Sequence, residues 1–291
     1  MKMTAVSSPL KMVHCEPFLR WAGGKRWLAA AGLSRFPKNF SRYIEPFLGS
    51  GAIFFALNPQ RAILSDSNSE LIATYKAIRK NWRKVERLLE AHGSNHSKKY
   101  YYEVRSSSPT NGYERAARFI YLNRTCWNAL YRVNRKGKFN VPIGTRSRVT
   151  SDSDNFQSIA RRLRRARLIC CDFEKAIRKA HKGDLVYADP PYTINHGLNG
   201  FRKYNQHLFD WDDQIRLRDS LTCAMDRGAC VCISNAWHSS ILELYADKFR
   251  MISLDRASLI SGKKAGRKIG REYFIMGNGN AVGKRSGAKA V

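Results

Sequence analysis

The sequence predicts an α/β fold: a parallel sheet whose strand–helix alternation is interrupted by one inserted, mainly helical, basic stretch. Three observations predict it. Short apolar runs end in carboxylates at Tyr43-Ile44-Glu45, Ala62-Ile63-Leu64-Ser65-Asp66, Arg167 to Asp172 and Leu185-Val186-Tyr187-Ala188-Asp189, and a further apolar run spans Ala229 to Asn235. Segments with helical spacing separate them, and that alternation argues for parallel strands. Between the second and third runs lies about a third of the chain, basic and rich in aromatic rings.

The elements follow in order. Residues 1–16 read as an N-terminal arm. Glu45-Pro46-Phe47-Leu48-Gly49-Ser50-Gly51 then joins the first strand to a helix over Ala52–Leu57 by a glycine-containing turn. Asn68 to Ala91 carries Leu71, Ile72, Tyr75, Ile78, Trp82, Val85 and Leu89 at helical spacing. Glu114 to Leu122 predicts a second helix and Phe156 to Arg167 a basic third. Asn134-Arg135-Lys136-Gly137-Lys138-Phe139 predicts a hairpin turn. A long helix is expected over Asp212–Arg227. The Gly/Ala/Lys-rich residues 279–291 read as a basic disordered tail. The alternation therefore divides into catalytic segments over 17–68 and 166–278 and an inserted recognition segment over 69–165.

The 291 residues carry a net charge of +29, which implies a polyanionic partner. Residues 98–168 hold 17 basic against 4 acidic side chains, interleaved with rings such as Tyr101, Phe119, Tyr121, Trp127 and Tyr131. Basic residues among aromatics suit phosphates and exposed bases, although any single ring is a core residue first. A run of apolar residues long enough for a membrane helix is absent, and Met1–Cys15 lack the marks of a secretory signal. The seven cysteines and seven histidines show no metal-ligand spacing, so free thiols, no metal and a cytoplasmic location are expected.

Two motifs carry chemistry. The Glu45–Gly51 turn combines a carboxylate with glycines that let a ligand approach the backbone, and Asp66 closes the next strand where a carboxylate can accept ribose hydroxyls. A three-glycine phosphate fingerprint and a Walker lysine are both missing, which favours a nucleoside cofactor without pyrophosphate, S-adenosylmethionine being the common one. Asp189-Pro190-Pro191-Tyr192 closes a buried strand with a rigid row of acceptors beside one ring. That arrangement suits a flat group bearing an NH2, such as a base extruded from a duplex.

Taken together, Phe18-Leu19-Arg20-Trp21-Ala22-Gly23-Gly24-Lys25, the Glu45–Gly51 turn, Asp66, Asp189–Tyr192, the block Phe119–Arg132 and Gly137–Gly144 resemble the Dam-type (D12 class) DNA adenine N6-methyltransferases, in the family's order. The resemblance implies a Rossmann-like S-adenosylmethionine-dependent methyltransferase fold with an inserted basic DNA-recognition domain carrying a β-hairpin. It places Trp21, Lys25, Glu45, Phe47, Gly49 and Gly51 at the cofactor, Asp66 at its ribose, and Asp172 with Phe173 at its adenine. It puts Asp189 and Pro190 at the target amino group, with Asp189 also facing the cofactor, and Tyr192 on the flipped adenine. Arg20 and Arg132 would read base pairs, Trp127, Asn128 and Leu130 would enter the duplex, and Pro142 would touch a thymine methyl. Asn134 is a further expected DNA contact, and the charge of the stretch puts Arg124, Arg135, Lys136, Lys138, Arg146 and Arg148 on phosphates either side of the flipped base.

The sequence departs from the family at Arg20, where lysine is usual, at Trp127, at Ala129, where glycine is usual, and at Thr145-Arg146-Ser147. These positions bear on the GATC target that the resemblance suggests. Double-stranded DNA is the expected partner and a monomer the expected state. The alternatives are an rRNA adenine N6-methyltransferase, against which the Trp127–Pro142 block argues, and a catalytically silent DNA-binding module. His196, four residues past Tyr192, is read as incidental.

Overall fold

A computed structural model describes residues 15–31, 33–134, 137–151, 153–193, 209–257 and 269–279. Seven strands form one sheet: β1 (Tyr43–Glu45), β2 (Ala62–Asp66), β3 (Ala166–Cys170), β4 (Leu185–Ala188), β5 (Cys230–Ala236), β6 (Arg250–Ala257) and β7 (Ile269–Asn278). Their order is β3-β2-β1-β4-β5-β7-β6. The first five are parallel, while β7 runs antiparallel to both β5 and β6. The helices are α1 (Arg26–Ala30), α2 (Ala52–Leu57), α3 (Ser69–Ser94), α4 (Lys98–Ser106), α5 (Gly112–Thr125), α6 (Phe156–Leu163), α7 (Phe173–Ile177), α8 (Trp211–Asp226) and α9 (Ser239–Tyr245).

The central strands are short apolar runs because both faces of the sheet are covered, as parallel sheets require. Their side chains alternate between two cores. Tyr43, Leu64, Leu185, Tyr187 and Cys232 join one cluster with α2, α3, α5 and α6. Ile44, Ile63, Val186, Val231 and Ile233 join the other with α7, α8 and α9. The basic insertion, α3 to α6, therefore packs into the same core as one face of the sheet.

Caps and kinks set the helix limits. The Asn68 side chain accepts from Leu71 N at 3.0 Å and starts α3. The helix is interrupted at Asn81 (φ −153°, ψ 82°), whose side chain accepts from Lys84 N and starts the second half. Asp210 and Asp213 form a reciprocal capping box at the start of α8.

Several expectations shift. The basic helix expected to reach Arg167 ends at Leu163, because Ala166–Cys170 pairs with β2. Asp172 lies beyond β3 and caps α7. Elements α1, α4, α7, α9, β6 and β7 were not anticipated in the sequence. Cys15, expected in the arm, is buried in the first core, while residues 1–14 and the tail beyond Gly279 lie outside the described residues.

Candidate active site at the carboxyl edge of the sheet

The chain leaves β1 towards β2 and leaves β4 towards β5, in opposite directions along the sheet. A crevice at the carboxyl ends of the strands is the usual ligand site at such a switch point. Glu45 ends β1 and Asp189 directly follows β4, so both carboxylates reach this crevice.

The Glu45–Gly51 turn is held by its backbone, with Gly51 N donating to Leu48 O (2.7 Å) and Leu48 N to Ser65 O (2.9 Å). Gly51 (φ +67°) caps α2 in the left-handed region. Gly49 (φ +46°) allows the Trp21 indole to rest on it, since a Cβ there would lie 2.8 Å from Trp21 Cδ1. Asp66 binds the turn from β2, accepting from Gly49 N (3.1 Å) and from Asn68 N (3.0 Å). Burial raises the Asp66 pKa, partly offset by those two bonds. Glu45 is 2 % exposed, and its Oε2 is buried without a hydrogen-bond partner. Burial holds the Glu45 carboxyl well above the usual carboxylate range, and the nearby Asp189 and Asp66 charges add to this.

Beside the turn lies a buried charged group. Lys25, 2 % exposed, donates to Gly23 O (2.7 Å), pairs with Asp189 Oδ1 (2.8 Å) and lies 3.6 Å from Glu272 Oε2. Its ammonium also sits over the Tyr192 ring, 4.9 Å from the centroid. The Tyr192 hydroxyl donates to Glu272 Oε2 at 2.8 Å. Burial, with the charges of Asp189 and Glu272, keeps that phenol protonated well past its ordinary pKa. Pro190 is buried, and Thr193 Oγ1 donates to Phe209 O at 2.6 Å, which anchors the chain after Tyr192.

Asp172 and Phe173 stand at the start of α7, just beyond β3. Arg216 of α8 makes two 3.0 Å hydrogen bonds to Asp172 and lies 4.2 Å from the Phe173 ring centroid. Phe47 stacks on Phe173 with centroids 5.3 Å apart, which places Phe47 on this side of the crevice.

The segment 126–144 forms an arm that buries Cys126, Phe139 and Val141 against the core and exposes side chains between them. Single antiparallel bridges join Cys126 to Ile143 and Val133 to Phe139. At the expected hairpin turn, Asn134 N donates to Lys138 O (2.8 Å) and Gly137 N to Asn134 O (2.9 Å). Trp127 is 52 % exposed, Asn128 and Ala129 both have φ +53°, and Leu130 is half-buried. Arg132 Nε reaches Asn140 Oδ1 at 3.4 Å, and Asn134, Lys138, Pro142, Arg146 and Arg148 are exposed. Buried Tyr101 of α4 donates to Val141 O (2.9 Å) and ties the arm to the core. Tyr131 stacks on Trp21 (6.2 Å) and packs at a tilt against Phe119 (4.3 Å), joining arm and glycine turn. Buried Asn123 bonds both backbone polar groups of Arg20, leaving that exposed side chain beside the same junction.

Arg124 corrects one expectation. Rather than gripping phosphate, its guanidinium is 8 % exposed, pairs with both oxygens of Asp154 (2.6 and 2.8 Å) and donates to Phe18 O and Val149 O. It lies in the buried last turn of α5, where every donor faces protein. Arg135, Lys136 and His196 lie outside the described residues. The sequence reading missed Glu272, Arg216 and Asn123. Glu272 and Asn123 do carry a signal, since each is a polar side chain flanked by an apolar run.

Residues 21–263 match the model of the D12 class N6 adenine-specific DNA methyltransferases. The chain is 36 % identical over 277 residues to the type II methyltransferase M1.LlaDCHI of Lactococcus lactis subsp. cremoris, covering 92 % of this chain and 97 % of that one. It is 33 % identical to the DNA adenine methylase of Haemophilus influenzae, covering 85 % and 88 %. It is also 33 % identical to the DNA N-6-adenine-methyltransferase of Escherichia phage P1, over 88 % of this chain and 34 % of that one.

Proposed function

The chain belongs to the D12 class of N6 adenine-specific DNA methyltransferases, and from that premise we propose that it methylates a flipped-out adenine of duplex DNA, within GATC, using S-adenosylmethionine. The observation that carries the reading is the Lys25–Asp189–Glu272–Tyr192 group beside the glycine turn.

The residues of the turn fit the cofactor. The unpartnered buried Oε2 of Glu45 calls for a cationic donor, which an α-amino group supplies. The turn glycines let Trp21 close on Gly49 and let Phe55 and Tyr75 close on Gly51, which fixes the turn beside Glu45, and Asp66 at the end of the next strand would accept ribose hydroxyls. When bound, this cofactor supplies a methyl group on a sulfonium, already activated for direct transfer. Asp172 and Phe173 would flank its adenine, with Arg216 set against both.

The protein's task is to make a poor nucleophile attack. The lone pair of an adenine amino group is conjugated into the ring. Asp189 and the Pro190 carbonyl would accept its two N–H bonds, draw the nitrogen towards sp3 and localise the lone pair. Lys25 holds the Asp189 carboxylate in place, and Tyr192 would stack on the extruded base. Arg20 and Arg132 would read base edges, the latter through two parallel bonds to guanine. Trp127, Asn128 and Leu130 would fill the gap left by the base, with Lys138, Asn134 and Arg135 on the backbone and Pro142 on a thymine methyl. Segment 69–165 thus serves recognition, while 17–68 and 166–278 serve catalysis. Among the described residues no helix is long and apolar enough to cross a membrane, and we propose a cytoplasmic monomer.

The test offers labelled S-adenosylmethionine with an unmethylated GATC duplex, a GATC-free duplex and RNA. Incorporation confined to the GATC duplex supports the reading. Label in RNA alone contradicts it, and DNA retention in a gel without label would show a silent binding module.

A further inference from the structure

β7 is one of two strands that the alternating pattern did not foretell, and it brings to the crevice a buried carboxylate, Glu272, that none of the motifs contains. Glu272 is 5 % exposed and pairs in register with Ala236 at the end of β5, so its backbone is fixed by the sheet. A carboxylate buried in a sheet is costly unless it is paired. Its pairing is specific: Oε2 accepts from the Tyr192 hydroxyl at 2.8 Å and lies 3.6 Å from Lys25 Nζ. The same Lys25 pairs with Asp189 and covers one face of the Tyr192 ring.

An aromatic ring in a chain segment after a strand can rotate, and one rotation would take it off the plane of a bound base. Lys25 contacts the ring face and Glu272 holds the hydroxyl. Two contacts from different elements fix the plane of Tyr192 relative to Asp189.

We infer that Glu272 is a positioning residue for methyl transfer, which acts through Tyr192 to hold its ring against the target adenine. The inference rests on the reading above that Tyr192 stacks on the base. It concerns the geometry of the flipped state, so it bears on turnover after DNA is bound.

The experiment uses the full-length protein and a duplex the wild type methylates, with and without 2-aminopurine at the target position. Wild type, Glu272→Ala, Glu272→Gln, Tyr192→Phe and the Ala/Phe double variant are compared in single-turnover methylation, cofactor affinity and 2-aminopurine fluorescence. Loss of a hydrogen bond to a charged group predicts about a tenfold to hundredfold slower transfer in Glu272→Ala. Cofactor affinity should stay at the wild-type value. Glu272→Gln keeps an acceptor for the hydroxyl and should recover most of the rate. Adding Tyr192→Phe to Glu272→Ala should cost nothing further, and the quenching of 2-aminopurine by the ring should weaken alike in both. Should the alanine variant not fold, Glu272→Asp takes its place, since it keeps the charge and withdraws the acceptor. Multiplicative losses in the double variant, or a wild-type rate in Glu272→Ala, would overturn the inference. A wild type that methylates no duplex would refute the underlying reading instead.

Discussion

The carboxyl edge of the sheet and the arm over 126–144 lie on either side of Trp21, yet they are built on opposite principles. At the edge, Lys25, Glu45 and Glu272 are buried, and ion pairs and hydrogen bonds draw on three separate segments of the chain. In the arm, Cys126, Phe139 and Val141 anchor a loop closed by two single bridges and a few turn bonds, with Trp127 and Lys138 in solvent. The edge is preorganised, as electrostatic catalysis requires. The arm suits recognition, where side chains settle on a partner during binding. The lesson is that burial separates the residues proposed for chemistry from those proposed for reading DNA, even where they look alike in sequence.

The largest break in this comparison comes from the edge. Asp189→Ala should lower methyl transfer at least about a thousandfold, as loss of a preorganised polar group does. Binding of S-adenosylmethionine, followed by calorimetry, should largely survive. Full activity in the variant would remove Asp189 from the reaction.

A pair of arginines sharpens it next. Arg124→Ala strands Asp154 in a nearly buried site and should cost about 3–5 kcal/mol of stability, read by denaturant unfolding. Arg132→Ala should leave stability alone and lose about 1–3 kcal/mol of discrimination at one base pair. Equal unfolding midpoints for the two would undo the division between core and arm.

Glu45 gives a pH signature. Its folded-state pKa is raised, so the folded chain holds the proton more tightly than the unfolded one. The stability this contributes is present below the ordinary carboxylate value and is lost as pH rises towards the folded value. Thermal midpoints of the ligand-free protein should therefore decline from about pH 5 upward, and Glu45→Gln should flatten that decline. An unchanged slope in the variant would assign it to other groups.

The smallest effect lies in the arm. Ala129 and Asn128 both adopt φ +53°, and Ala129 stands where the family usually has glycine. Left-handed backbone costs a residue with a Cβ about 1 kcal/mol, so Ala129→Gly should raise the thermal midpoint slightly. A lowered midpoint would show that the alanine methyl packs usefully there.

The parallel half of the fold was legible because β1, β2, β4 and β5 are apolar runs that punctuation delimits, and because three carboxylates mark where strands end. The antiparallel β7 was not, since Gly270, Arg271, Glu272 and Gly277 dilute its apolar character. Motif residues located the crevice, but not its wiring. Glu272 meets Lys25 and Tyr192 only through the sheet, and Arg216 meets Asp172 only through helix packing. Arg124 misled for a physical reason: a basic residue in a basic block resembles a phosphate contact until burial and Asp154 are seen.

The central claim is that the Asp189–Tyr192 edge transfers a methyl group to the N6 of adenine in DNA. Nucleoside mass spectrometry of an unmethylated plasmid, incubated with the protein and S-adenosylmethionine, tests it most directly. The account predicts N6-methyldeoxyadenosine with wild type and none with Asp189→Ala. Methyl on cytosine N4, or equal product from both proteins, would contradict it.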